Sequence, residues 1–141
     1  MLEALLIGSA VITMTIVIAI LLFDLANRAL RVVDVAMKER HSRIRPIALL
    51  LVALLWILFV LTLSIWCWAA VYFAIGLFDR LEPALYFAIV SFTTVGYGDV
   101  VLSENWRLLA GMTATNGLLI FGLFTAYLVE ILDLIRVKNT D

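Results

Sequence analysis

Three long stretches of the chain carry no charge. Ala4 to Phe23 holds 20 residues between Glu3 and Asp24, Pro46 to Phe78 holds 33, and Leu108 to Val129 holds 22. A helix needs about 20 mostly apolar residues to cross ~30 Å of hydrocarbon at about 1.5 Å per residue. Each stretch therefore predicts a membrane span. The second is longer than a crossing requires, which predicts tilt or projection past the headgroups. Trp66, Trp68 and Tyr72 near its far end read as an interfacial aromatic belt. A fourth uncharged stretch, Pro83 to Gly98, has only 16 residues and closes on Val95-Gly96-Tyr97-Gly98. It is too short to span and suggests a re-entrant segment, with a half-helix entering at Pro83 and an extended strand leaving. Irregular backbone is not tolerated against lipid, so this loop must be buried in protein or line water.

Charge orients the spans. Eight of the ten basic residues, Arg28, Arg31, Lys38, Arg40, Arg43, Arg45, Arg136 and Lys138, fall on one side if the chain crosses three times. That side is expected to be cytoplasmic, with the N-terminus outside and the C-terminus inside. The other side carries Glu3, Asp79, Glu82, Asp99 and Glu104 against Arg80 and Arg107, an acidic face that favours cation accumulation. Glu3 stands where a cleaved leader would carry Lys or Arg, so the first stretch reads as a permanent anchor. Residues 26–45 form a basic linker in which Leu30, Val33 and Met37 recur at helical spacing. Two readings of it stay open: an amphipathic helix held on the inner leaflet by anionic lipid, or a plain extension of the first span.

Composition narrows the class. Of the 141 residues, 65% are hydrophobic and 15% charged, and the mean hydropathy is +1.14. Soluble domains carry about 45–50% apolar and ~25% charged residues. An ordinary soluble globule, a disordered chain and a nucleic-acid binder are excluded. The single cysteine, Cys67, excludes a disulfide framework and a cysteine-based metal cluster, and the single histidine, His41, argues against a His-rich metal site. His41 lies among basic residues and reads as a solvated loop residue rather than a pH sensor. No phosphate-binding loop or Ser/His/Asp set is present, so no enzyme and no cofactor are expected. No span has arginines at every third position, so a voltage sensor of the usual type is missing.

The most informative segment is Thr93-Thr94-Val95-Gly96-Tyr97-Gly98-Asp99. In it the chain resembles the pore module of potassium channels, most closely the small prokaryotic kind, over roughly residues 46–137. This signature is already the known mark of a potassium selectivity filter, so selectivity is read here from resemblance. The resemblance implies an all-α membrane protein with three transmembrane helices, a re-entrant pore helix and an extended filter, arranged around a four-fold axis. It implies an outer helix over 46–78, a pore helix over 83–92, a filter over 94–98 and an inner helix over 105–137. Residues 1–25 would be an added outer span and 138–141 a short cytoplasmic tail.

The resemblance also assigns residues. Permeant potassium would be held by the carbonyls of Thr94, Val95, Gly96 and Tyr97 and by the Thr94 hydroxyl, with Gly98 closing the filter. Gly96 and Gly98 adopt positive φ without steric cost, and alternating backbone handedness would aim successive carbonyls at the axis. Val95 and Tyr97 would point outward and brace the strand. Tyr97 stands where non-selective relatives often carry Asp, which favours potassium over sodium. Thr93 would continue the polar C-terminal end of the pore helix. Asp99 would anchor the outer mouth through a partner that is a Trp in many members and here is Tyr86. Val90 stands where some relatives have a buried Glu. In the inner helix, Gly117 matches the position that can bend, with close packing as the equal rival reading. Leu118, Phe121, Thr125 and Val129 would line the cavity and inner gate, and Asn116 would face a neighbouring helix.

The expected protein is a homotetrameric potassium channel in a prokaryotic inner membrane, with the bilayer and anionic lipid as its other partners. The alternatives are a weakly selective cation channel, against which Tyr97 argues, and a non-conducting regulatory subunit, which would not need two glycines in backbone at lipid depth. Glu130 and Asp133 end the third span. Asp133 is placed to pair with Arg136 on the same helix, and a role for Glu130 in gating is the lesser reading.

Overall fold

The computed structural model describes residues 1–36 and 44–138. They form four α-helices: α1 (Leu2–Ala36), α2 (Ile44–Ala74), α3 (Leu81–Phe92) and α4 (Arg107–Lys138), the last led by a single 3-10 turn, Glu104–Trp106. Three segments are long and apolar enough to cross a membrane: Leu2–Val32, Pro46–Ala74 and Glu104–Asp133. No strand occurs among the described residues. The all-α architecture with three long apolar helices is the one expected.

Several boundaries differ, each for a local reason. α1 does not stop near residue 25 but runs unbroken to Ala36. Asp24 and Arg28 pair across one turn at 2.7 Å, which suits a continuing helix. Residues 26–36 thus extend the first helix; Met37, Lys38, Arg40, His41 and Arg43 lie outside the described residues. α2 ends at Ala74, short of Phe78. Gly76 takes φ +74° there; its N–H donates to the Phe73 carbonyl at 3.1 Å, and the Leu77 N–H donates to the Tyr72 carbonyl at 3.1 Å. This paired 5→2 and 6→1 closure stops a helix and needs a residue that accepts left-handed backbone. α3 begins at Leu81, so Pro83 is its third residue and not its first. First-turn N–H groups have no partner within the helix, so Pro is tolerated there as well.

Lipid tails are as apolar as the helices, so helices associate through close packing and interhelical hydrogen bonds. α1 buries a narrow stripe comprising Ala4, Gly8, Val11, Thr15, Ala19 and Ala26. These mostly small residues recur every three or four positions (twice that interval from Ala19 to Ala26) and let its backbone approach α2 and α4. Contacts rise in step along both helices, from Gly8 on Met112 to Thr15 on Asn116 and Phe23 on Phe124, so α1 and α4 run parallel. α3 packs on α2 and α4.

The aromatic belt expected on α2 is corrected for two of its three residues. Trp66 is exposed, but Trp68 and Tyr72 are fully buried. The Tyr72 ring meets Phe87 of α3 at 5.2 Å, and its hydroxyl pairs with the Thr113 hydroxyl of α4. Trp68 and Tyr72 lie one turn apart, so both face the protein.

Candidate functional site

α3 fixes the depth of the loop. Its last residue, Phe92, is fully buried, and its carbonyl lies directly against Gly117 of α4. Gly117 is ten residues below Arg107. At about 1.5 Å per residue that is ~15 Å, half the ~30 Å hydrocarbon thickness. α3 therefore enters from the Arg107 end of α4 and stops near mid-depth. Its C-terminal partial negative charge is delivered there.

The chain leaves α3 by a tight series of bonds. The Thr93 N–H and Thr93 Oγ1 both donate to the Ile89 carbonyl, at 3.0 and 2.7 Å. The Thr94 N–H reaches the Ser91 carbonyl at 3.0 Å, and the Gly96 N–H reaches the Val90 carbonyl at 3.2 Å. Val90 itself is buried behind the loop. The backbone then alternates: φ is +61° at Thr94, +55° at Gly96 and +77° at Gly98. The two glycines behave as expected. Thr94 is a finding, because a β-branched residue in this region is an outlier that its surroundings must impose. Thr94 through Asp99 are all exposed in the single chain. Val95 and Tyr97 are 52% and 73% exposed, so the bracing expected of them is not made within one chain.

The structure joins Tyr86 and Asp99. The Tyr86 hydroxyl donates to Asp99 Oδ2 at 2.6 Å, tying the end of the loop back to α3. This bond lowers the Asp99 carboxyl below its usual range and raises the Tyr86 hydroxyl. The signs set the window. Asp99, lowered on folding, contributes stability above the ordinary carboxylate value near 4 and loses it as pH falls through its lowered value. Tyr86, raised, contributes below about 10 and loses it as pH rises through its raised value. The bond is thus intact across the neutral range. Tyr86→Phe is expected to return the Asp99 titration to the ordinary carboxylate range, read by NMR of labelled aspartate. An unmoved titration would separate the two residues.

α4 carries two faces. Thr113, Asn116, Gly117, Ile120, Phe124, Tyr127 and Ile131 are buried within the chain. Leu118, Phe121, Thr125 and Val129, the expected lining residues, all lie on the opposite, exposed face. The helix is continuous through Gly117, where any Cβ would collide with the Phe92 carbonyl. Close packing is therefore a sufficient reason for this glycine. Asn116 faces a neighbouring helix as expected: its Nδ2 donates to Thr15 Oγ1 of α1 at 2.7 Å. Glu130 and Asp133 are exposed, and the Arg136 side chain lies outside what is described.

Sequence reasoning missed the residues that attach α1: Gly8, Thr15 and Asn27, the last accepting a bond from the Tyr127 hydroxyl at 3.0 Å. The periodic small residues of the first span were the available signal. Among the described residues no group of acidic, histidine and cysteine side chains is placed to hold a metal ion.

A family model described as an ion channel matches residues 46–133, more than half of the chain. The chain belongs to this ion-channel family. With its three apolar helices it is a multi-pass integral membrane protein. The match takes in nearly all of α2, α3, the loop and most of α4, and leaves α1 outside. No curated protein and no solved structure matches the chain.

Proposed function

We propose that four copies of this chain surround one axis as a potassium-selective channel that conducts passively. The observation that carries this reading is the positive φ at every second residue, Thr94, Gly96 and Gly98, in a loop that rises from mid-depth. Alternating handedness turns the carbonyls of Thr94, Val95, Gly96 and Tyr97 toward one side. Four such strands supply stacked oxygen rings that replace the hydration shell of potassium, and several adjacent sites let ions leave. One strand offers oxygens from one direction only.

Exposure supports the assembly. The residues from Thr94 to Asp99 are exposed in one chain. Polar backbone at this depth is stable only against protein or water, and further copies provide both. The free face of α4, with Leu118, Phe121, Thr125 and Val129, then lines the cavity beneath the filter. The acidic outer face collects cations, and the basic side lies in the cytoplasm of a prokaryotic cell, near anionic lipid.

The test is flux from purified protein in liposomes under a potassium gradient. Potassium flux is expected to exceed sodium flux and to vanish in Gly96→Asp. Equal fluxes of the two ions would leave a weakly selective cation pore. Absence of flux from a folded tetramer would leave a silent subunit.

A further inference from the structure

We propose that α1 is a splint on the pore-lining helix α4, fastened on both sides of Gly117, and that release of its inner fastening lets the pore open. The proposal rests on the channel reading above, because it takes α4 to line the pore.

Four observations carry it. First, α1 grips α4 at two separated levels. Thr15 Oγ1 accepts from Asn116 Nδ2 at 2.7 Å, one residue before Gly117. Asn27 Oδ1 accepts from the Tyr127 hydroxyl at 3.0 Å, ten residues after it. Second, the Phe23 ring of α1 fills the space beside the inner fastening, 5.4 Å from the Phe124 ring and 4.6 Å from the Tyr127 ring. Third, α1 is itself tied to α2: Trp56 Nε1 donates to the Leu22 carbonyl at 3.0 Å. Fourth, the α4 residues that α1 holds, Asn116, Phe124 and Tyr127, are buried, whereas Leu118, Thr125 and Val129 on the opposite side are exposed.

The mechanics follow. The tie to α2 makes α1 a post that does not travel freely with α4. Any motion that splays the inner half of α4 from the axis changes its position against that post. The upper fastening is deeply buried, and among the described residues the Asn116 Oδ1 has no partner at all, so the Nδ2 bond is the one this amide makes. Breaking it would strand an amide in a dry interior. The Tyr127–Asn27 bond is only partly buried, so its groups can turn to water or headgroups. The lower fastening is therefore the one that yields, and Asn116 stays fixed as the pivot.

The experiment measures open probability of the full-length channel in planar bilayers. Tyr127→Phe and Asn27→Leu are each expected to raise it. Interhelical bonds of this kind are worth roughly threefold in an equilibrium. Four subunits acting together should shift the closed–open balance on the order of tenfold or more. The double variant should add little to either single one. Unchanged or lower open probability in both, or full additivity of the two, overturns the splint. Asn27→Cys with Tyr127→Cys, in a Cys67→Ser background and joined by a reducible bis-thiosulfonate cross-linker long enough to replace the tyrosine ring, adds a direct check. Cross-linking is expected to suppress flux and reduction to restore it; a cross-link that forms without affecting flux also overturns the proposal. Potassium-selective flux in the unaltered protein is measured first. Its absence removes the channel reading, and the splint with it, whereas its presence with insensitive variants removes the splint alone.

Discussion

Gly117→Ala is expected to destabilise the protein, although alanine is the better helix former. In an exposed helix this exchange gains about 1 kcal/mol. Here the added Cβ meets the Phe92 carbonyl, which is backbone and cannot rotate aside. Overpacking costs roughly 1–3 kcal/mol where side chains can adjust. With a rigid obstacle the upper end applies, in every subunit. Relief requires α3 to move, and Thr93 and Thr94 at the base of the loop move with it. The expected result is a lower melting temperature and loss of the proposed potassium flux. Gly111→Ala is the matched control: it lies on the same helix, and a Cβ there meets nothing in its own chain. A hinge role predicts the reverse pattern for Gly117→Ala, with stability raised and opening suppressed. Thermal unfolding beside flux therefore decides between packing and bending.

The contrast between Gly117 and the helix ends shows what the sequence carries. Spans were legible because burial in lipid forbids charge, and charge-free runs are visible without any partner. The re-entrant loop was legible because 16 uncharged residues are too few to cross and end in glycines. Helix ends were less so. Gly76 lies inside an apolar run, and hydropathy passes over it, but its left-handed φ ends α2. Trp68 and Tyr72 look like belt residues by type and depth. Only their burial, with α3 and α4 meeting Tyr72, shows that they face protein.

At the loop, the two glycines announced positive φ, whereas Thr94 did not. Threonine disfavours that region, so its residue type gives no sign of the positive φ that it takes where its N–H donates to the Ser91 carbonyl. The pairing of Tyr86 with Asp99 was legible only from the family position that Tyr86 matches. The role of α1 was not read, since a hydrophobic run says that a helix crosses and not what it touches. Its small residues at Ala4, Gly8, Thr15 and Ala19 held that information, and the partners Met112 and Asn116 lie about a hundred residues away.

Gly96→Ala is expected to remove the proposed potassium selectivity while leaving the proposed assembly intact. Space is not the obstacle, because a Cβ at Gly96 meets nothing within its own chain. The obstacle is φ at +55°. Left-handed backbone costs an L-residue roughly 1–2 kcal/mol, so the four subunits of the proposed tetramer would place about 4–8 kcal/mol against the same ring. Relaxation toward negative φ would turn a carbonyl away from the axis and break the alternation that begins at Thr94. Gly76→Ala supplies the comparison. It also has positive φ, +74°, and open space around its Cβ, but it closes α2 outside the loop. The backbone penalty is alike and the location differs. Gly76→Ala is expected to lower the melting temperature by a few degrees and keep the potassium-to-sodium flux ratio. Gly96→Ala is expected to cut that ratio about tenfold or more, since a shift of 1.4 kcal/mol in ion preference suffices for a factor of ten. Equal retention of the ratio in both variants would mean that the alternating backbone does not set selectivity, and the proposed carbonyl rings would have to be abandoned.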